Sequence, residues 1–169
     1  MIGRAAALVL GAGLVLGACS DAADSLDTSA TERAVERVVE PRLVAEVDEV
    51  TCPSPITRGD GETVTCRAVL ADDGGSARVR VIQRGDGDQV DVELLDAVVE
   101  RSEVGRQLHE ALVATYARSF TVDCGADEVV VAAPGTTITC TATDDGGRRE
   151  VTATVADATG TLSFDLGGG

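Results

Sequence analysis

The chain has 169 residues, 44% of them hydrophobic and 25% charged, a composition typical of one or two small globular domains. Its formal charge is −15 and every basic residue is an arginine, so the surface is expected to repel nucleic acid and anionic lipid headgroups. Only 2% of the residues are aromatic, which leaves few platforms on which bases or sugars could stack.

Residues 1–18 have the pattern of a secretion signal, in which Arg4 is followed by an apolar run and by small residues before Cys19. The apolar run of about 12 residues is too short to span a bilayer, which needs roughly 20. The segment Leu-Gly-Ala-Cys at residues 16–19 resembles the bacterial lipobox, which implies cleavage before Cys19 and attachment of acyl chains such as palmitate. We therefore expect a lipid anchor at the extracytoplasmic face of the cell membrane. The alternative is an ordinary signal peptide followed by an unrelated cysteine.

The rest of the chain contains a duplication. The sequence Gly-Glu-Thr-Val-Thr-Cys at residues 61–66 returns as Gly-Thr-Thr-Ile-Thr-Cys at residues 135–140, and each copy has an Asp-Asp-Gly-Gly segment downstream. Before the first copy lies a small, polar and acidic stretch that suits a tether. We predict a signal peptide, a tether and two tandem repeats. Their bounds are 1–18, 19–28, 29–96 and 97–169.

Each repeat is predicted to start with a helix. Ser29 and Glu32 form a capping box before the first helix, which Pro41 should break. Ser102 is the expected cap of the second helix. The predicted inner faces are Val35, Val38, Val39 and Leu43 in the first helix, and Val104, Leu108, Ala111, Leu112 and Thr115 in the second.

An antiparallel sheet should follow each helix. Apolar residues alternate with polar ones over residues 63–70 and 137–143, which predicts half-exposed strands. The Asp-Asp-Gly-Gly segments at residues 72–75 and 144–147 predict hairpin turns, and two more alternating strands follow each turn. The expected fold class is α+β, with two tandem repeats of one helix and one small sheet.

Apart from Cys19, the chain has two cysteines in each repeat, and an even number in an exported chain indicates disulfide bonds. Cys52 and Cys124 share their parity with neighbouring apolar residues, so both should point into a core. We predict the pairs Cys52 with Cys66 and Cys124 with Cys140, over loops of about 15 residues that would contribute on the order of 3 kcal/mol each. The alternative is a Cys₄ metal site, whose paired cysteines usually lie two to four residues apart.

No catalytic or cofactor motif is recognisable, so we expect neither an enzyme nor a bound cofactor or metal. His109, the only histidine, is interpreted as a structural or surface residue. Tyr116 and Phe120 would indicate a ligand or partner site if they are clustered and exposed, and core if they are buried. A weak calcium site is an alternative for the acidic loops. Its ligands would be Asp60, Glu62, Asp86, Asp88 and Asp91.

The Cys-Pro at residues 52–53, the strand at residues 61–66 and the polar glycine turn after it resemble a family of small exported actinobacterial domains. The family is named domain of unknown function 4333 and is often found on lipoproteins. The second copy matches at residues 135–140 but has Cys-Gly at residues 124–125 where the family has Cys-Pro. The resemblance implies secretion and a disulfide, and it implies no activity.

We therefore expect an exported bacterial lipoprotein that acts as a non-catalytic envelope or protein-binding module. Its partners would be the membrane, through the lipid anchor, and an envelope protein, but not nucleic acid. One alternative is a secreted protein of the enzyme-inhibitor kind, which rests on architectural analogy. The other is a cell-wall glycan binder, which the scarcity of aromatic residues disfavours.

Overall fold

The computed structural model describes residues 25–71, 74–86, 89–126 and 128–166. The predicted signal peptide, the predicted lipidation residue Cys19, the first part of the predicted tether and the turn residues Asp72 and Asp73 lie outside the described residues. Within them the chain is α+β and consists of two tandem copies of one arrangement, which confirms the predicted fold class. No helix in this part of the chain has the length and apolar character that a membrane crossing requires.

The two copies contain the same strands and helix in the same order, and the first has in addition a 3₁₀ turn after its helix. The first copy has β1 (Ser25–Leu26), α1 (Thr28–Val39), a 3₁₀ turn (Glu40–Arg42), β2 (Val47–Thr51), β3 (Ile56–Thr57), β4 (Thr63–Leu70), β5 (Ser76–Arg84) and β6 (Gln89–Leu94). The second copy has β7 (Ala97–Glu100), α2 (Arg101–Tyr116), β8 (Thr121–Asp123), β9 (Val129–Ala132), β10 (Thr137–Asp144), β11 (Gly147–Val155) and β12 (Leu162–Asp165).

Each copy has a four-stranded antiparallel sheet packed against its helix. The strand order is β2-β4-β5-β6 in the first copy and β8-β10-β11-β12 in the second. The alternating segments of the sequence form the central hairpins, in which Cys66 pairs with Val79 and Cys140 with Val151. Between helix and sheet lie two apolar clusters, here called the first core and the second core.

The two predicted disulfide bonds are confirmed. Cys52 is bonded to Cys66 and Cys124 to Cys140, and all four residues are buried in the cores. Each bond joins the residue after an outer strand to the middle of the neighbouring strand. Because the cores consist largely of small valine and alanine side chains, these bonds supply stability that apolar burial alone provides only marginally in domains of this size.

The predicted capping box is wrong. The residue that caps α1 is Asp27, whose carboxylate accepts a hydrogen bond from a first-turn N–H at 3.1 Å. Ser29 lies inside the helix, and the carboxylate of Glu32 accepts instead from the N–H of Cys52 at 2.9 Å. Aspartate caps a helix as well as serine does, so the helix begins at the earlier of the two residues.

The predicted cap of the second helix is also wrong. Ser102 lies inside α2, and Glu100 precedes the helix without a side-chain hydrogen bond to it. The helix instead continues directly from β7, and the N–H of Arg101 donates to the carbonyl of Glu128 at 3.1 Å. A neighbouring segment therefore accepts from one of the first-turn donors that have no partner within the helix.

The predicted inner faces of the helices are confirmed at their centres and differ at their edges. The residues without exposed surface are Val35, Val39, Val104, Leu108 and Leu112. Val38, Leu43 and Ala111 are partly buried, whereas Thr115 is exposed. The first helix ends at Val39, before Pro41, as predicted.

The predicted tether, residues 19–28, extends into the folded part of the chain. Ser25 and Leu26 form β1, which pairs with β3 as a short antiparallel ribbon. Leu26 lies opposite Ile56 in this ribbon and packs against the first core. The described end of the predicted tether is therefore part of the first copy.

The corresponding ribbon of the second copy, β7 with β9, packs against both cores. Ala97 and Val99 belong to the second core. Val98, Val129 and Val131 pack against the first core, which is built by the other copy. Since both faces of this ribbon are buried, its sequence is a nearly continuous apolar run rather than an alternating one.

The ribbon of the first copy is polar on the side that corresponds to this docked face. Leu26 faces the first core, whereas its neighbour Ser25 and the opposite residue Thr57 are partly or fully exposed. The matching positions of the second ribbon are Val98 and Val131, which pair with each other. Valine replaces the polar residues only in the copy whose ribbon docks on a neighbour.

The end of the first sheet on which this ribbon docks differs from the corresponding end of the second sheet. Leu70, at the end of β4, belongs to the first core, and Val131 lies near the turn that follows. At the position of Leu70 the second copy has Asp144, whose side chain is 1% exposed and forms ion pairs with Arg118 at 2.8 Å and Arg149 at 2.6 Å. The second copy therefore closes this end of its sheet with charged groups instead of a docked ribbon.

The connection between the copies is short and fixed. The N–H of Leu95 donates to the carbonyl of Arg78 at 2.9 Å. The carboxylate of Asp96, which is 4% exposed, accepts from the backbone N–H, the Nε and the Nη2 of Arg78 at 2.9, 2.9 and 2.6 Å. These hydrogen bonds hold the pKa of Asp96 below its usual value, so the carboxylate stays charged. Together they fasten the linker to β5 and set the direction in which β7 starts.

The docked ribbon leads to a stability prediction. Val131→Ala should lower the free energy of unfolding by about 1–2 kcal/mol, because it removes methyl groups from the contact with the first core. Urea unfolding measures this change. Val44→Ala is the control, since Val44 is 55% exposed and its truncation should change stability by less than about 0.5 kcal/mol. Equal effects of the two substitutions would contradict the docking.

Candidate functional site

A groove lies at the junction of the two copies. It consists of two hollows of about 440 and 370 Å³, which share Val98 and Thr159 and are here called together the junction groove. Residues of both copies line it. The first copy contributes Arg42, Leu43, Val44 and Leu94, and the second contributes among others Glu103, Gln107 and Leu162.

The first copy's wall follows from the end of α1. Pro41 ends the helix, and the chain then turns through Leu43 and Val44 toward β2. Val44 is 55% exposed and is the most exposed large hydrophobic residue in the described part of the chain. The guanidinium of Arg42 donates to the carbonyl of Val92 on the edge strand β6 at 3.4 Å. This wall is therefore apolar in its centre and basic at one end.

The second copy's wall carries a fixed negative charge from α2. The carboxylate of Glu103 accepts from Nε of Arg106 at 2.8 Å and from Nε2 of Gln107 at 2.9 Å. The hydrogen bonds from Arg106 and then from Gln107 lower the pKa of Glu103 to about 2. Glu103 therefore stays ionised at neutral pH.

A tight loop between β11 and β12 forms another part of the wall. The carboxylate of Asp157 accepts from the N–H of Thr159 at 2.9 Å and from the N–H of Thr161 at 3.2 Å. The hydrogen bonds from Thr159 and Thr161 lower the pKa of Asp157 to about 2. Gly160 follows with a φ of 85°, and a Cβ on it would lie 3.2 Å from Val99. The loop is thus held by its own hydrogen bonds and by its packing on β7.

The groove combines exposed apolar surface with a charged carboxylate, an arrangement that can hold a ligand. Within the described residues, no three side chains of histidine, cysteine, aspartate or glutamate come together to hold a metal ion. His109 is exposed on α2 and does not line the groove. The carboxylates with lowered pKa values are those of Asp96, Glu103 and Asp157, and each owes its shift to a structural hydrogen bond.

The structure places the other candidate residues away from the groove. Asp60 accepts from the N–H of Gly85 at 2.8 Å, and Asp91 forms an ion pair with Arg84 at 2.6 Å, so these acidic residues have local structural partners. Asp88, a further calcium candidate, lies outside the described residues. The four cysteines are paired inside the two cores.

Tyr116 and Phe120 belong to the second core. Their ring centroids lie 5.9 Å apart, Phe120 is 6% exposed, and Tyr116 is partly buried against the core. The guanidinium groups of Arg118 and Arg149 lie over both rings, 5.2 to 5.7 Å from the centroids. Because Phe120 is buried and Tyr116 is partly buried, the two aromatic residues are part of the core and do not form an exposed ligand site.

The walls of the junction groove belong to different repeats, so the groove is not predictable from the pattern of either repeat alone. One signal was present in the sequence. Val98 and Val131 stand where the first copy has Ser25 and Thr57, and such a change from polar to apolar indicates that the second ribbon is covered. The partner of that ribbon could not be identified without the structure.

The comparisons with known proteins give one positive result. A family model described as Domain of unknown function (DUF4333) matches residues 9–87 and, a second time, residues 89–160. These are the two copies that the duplication predicts, and the result confirms the resemblance. No curated protein and no solved structure matches the chain.

The loop beside the groove leads to a pH prediction. Because the pKa of Asp157 is about 2 in the folded chain and 3.8 ordinarily, its hydrogen bonds are at full strength above about pH 4 and are lost as the pH falls through about 2. An acid titration followed by NMR at the amides of Thr159 and Thr161 should have its midpoint near 2. In Asp157→Asn, which keeps an acceptor but does not titrate, the same signals should stay constant. A midpoint near 4 would contradict the prediction.

Proposed function

The chain belongs to the DUF4333 family in two tandem copies, and on that premise we propose that it is an exported bacterial lipoprotein that binds another envelope protein and performs no catalysis. It is anchored through Cys19 at the extracytoplasmic face of the cell membrane. The observation that carries the binding role is the junction groove, which both copies build and which presents exposed apolar surface beside a fixed carboxylate.

The two disulfide bonds support export. Each is buried, and each lies in the core of its own copy. Disulfides of this structural kind form and persist outside the reducing cytosol. Together with the secretion signal and the lipobox-like segment, they support a place on the outer side of the membrane.

The chemistry of the groove favours a protein partner with apolar and basic side chains. Val44 and Leu43 offer apolar contact, while Glu103 and the overall charge of −15 attract lysine and arginine. A glycan would be expected to stack on exposed aromatic rings. The three aromatic side chains, Tyr116, Phe120 and Phe164, instead belong to the second core or pack against it. The groove therefore favours a protein over a glycan.

The anchor leads to a fractionation prediction. Cys19→Ser removes the thiol that would carry the lipid, so the protein should move from the membrane fraction to the soluble extracytoplasmic fraction. Immunoblots of the fractions measure this. Ser20→Ala, a change at the next residue that keeps the thiol, should leave the protein with the membrane. A Cys19→Ser protein that still sediments with membranes would count against the anchor.

The groove leads to a binding prediction. A photo-crosslinking residue at position 44 should yield one dominant adduct with an envelope protein, and the crosslinked segment of that protein should combine apolar residues with lysine or arginine. Position 113 is the matched control, because Val113 is the other exposed valine and does not line the groove. Glu103→Gln should lower the yield at position 44 roughly threefold or more.

Equal adducts from both positions would contradict the groove as the binding surface. Adducts with wall glycan alone would replace the protein partner with the carbohydrate alternative.

A further inference from the structure

The open face of the first sheet, on the side away from α1, contains a second cleft. It has a volume of about 430 Å³, within the range of small-molecule sites. Its lining consists of Thr51, Pro53, Thr65, Arg67, Arg78 and the disulfide-bonded Cys52 and Cys66. We propose that this arginine cleft binds a small organic carboxylate with an apolar body.

Two arginines face each other in the cleft. Arg67 on β4 and Arg78 on β5 are directly paired across the strands. Like charges in this position destabilise a sheet. Arg78 has a structural role, because its bonds to Asp96 fasten the linker. The residue that calls for a functional explanation is therefore Arg67, since arrangements that lower stability are expected mainly where they serve a function.

One buried carboxylate holds the pair together. Asp96, with its side chain 6% exposed, binds Arg78 through both carboxylate oxygens, while the side chain of Arg78 remains 51% exposed. The charge of Arg67 also contributes to the lowered pKa of Asp96. The single negative charge of Asp96 therefore stabilises both Arg67 and Arg78, and the three groups together have a net charge of +1.

Arg67 is the cation without a carboxylate of its own. In the described part of the chain its guanidinium forms no ion pair and donates to the hydroxyl of Ser76 at 2.7 Å. A hydroxyl is a neutral partner, so the charge of Arg67 is available to a ligand. Because Arg78 is fixed by Asp96 and Arg67 by Ser76, the two groups need little reorganisation on binding.

The cleft fits a carboxylate better than other anions. The planar guanidinium of Arg67 matches a carboxylate in a two-bond geometry, and the hydroxyls of Thr51 and Thr65 offer further donors. Pro53, which is exposed, offers apolar surface for the rest of the ligand. A single surplus charge on a chain of −15 neutralises a monoanion, whereas a dianion or polyanion would be repelled by the surrounding acidic surface.

The second copy does not repeat this site. In its sheet the positions of Arg67 and Arg78 are occupied by Thr141 and Glu150, which pair across the strands in the same register. The duplicate thus keeps the disulfide and the strand pairing and reverses the charge. The equivalent surface of the second copy, at Thr141 and Glu150, therefore serves as an internal negative control for ligand binding.

An NMR titration with sodium hexanoate tests the proposal. The whole chain from residue 19 onward, carrying Cys19→Ser, is titrated at constant sodium chloride. Saturable shifts should appear at the amides of Thr51 and Thr65 and at Nε–H of Arg67, with a Kd on the order of 1 mM for so small a probe. The amides of Thr141 and Glu150 should not shift.

Two variants separate a binding role from a structural one. Arg67→Gln should weaken binding roughly tenfold or more, and it should leave the thermal midpoint unchanged or raise it because it removes the repulsion between the arginines. Arg37→Gln makes the same change of charge on the exposed side of α1 and should bind hexanoate as the parent does.

Three results would overturn the proposal. The first is the absence of saturation up to roughly 50 mM, about fifty times the expected Kd. The second is equal binding by the Arg67→Gln variant. The third is tighter binding of inorganic phosphate than of hexanoate at the same amides, which would assign the cleft to a different class of anion.

Discussion

The packing of the β7–β9 ribbon between two cores is the interaction on which the rest of the structure depends. Its residues alternate between the core of their own copy and that of the preceding copy, as Val99 and Val98 show. One end of the first core is covered by this ribbon, which belongs to the second copy. The junction groove exists because of this contact, and so does the fixed position of its two walls.

The two cores contain few large side chains, and two disulfide bonds and the ion pair of Arg78 with Asp96 add stability to them. Valine and alanine dominate both cores, and each disulfide joins two buried positions where larger side chains would otherwise be needed. Asp96 adds a buried ionic link where the copies meet. Because Leu95 and Asp96 are both hydrogen-bonded to Arg78, the linker between the copies is fixed to β5.

The sequence predicted those parts of the fold that depend on local alternation. The hairpin strands around Cys66 and Cys140 follow from period-two patterning, and the disulfides follow from the shared parity of the cysteines. The ribbons were not predicted, because strands of two to four residues are too short to show a period. The helix caps were wrong because Asp27 competes with Ser29 for the same role. The groove and the cleft depend on contacts between distant segments, which no local pattern contains.

The different ends of the two sheets make the duplication directional. Leu70 in the first copy is apolar and packed in the first core, whereas the second copy has at this position the buried carboxylate of Asp144, which is paired with the partly exposed Arg118 and Arg149. If the order of the copies were exchanged, the valines of the docked ribbon would contact Asp144 and its arginines, and Leu70 would be exposed to solvent. The duplication therefore joins a first copy whose sheet end receives a ribbon to a second copy whose sheet end is closed by ion pairs.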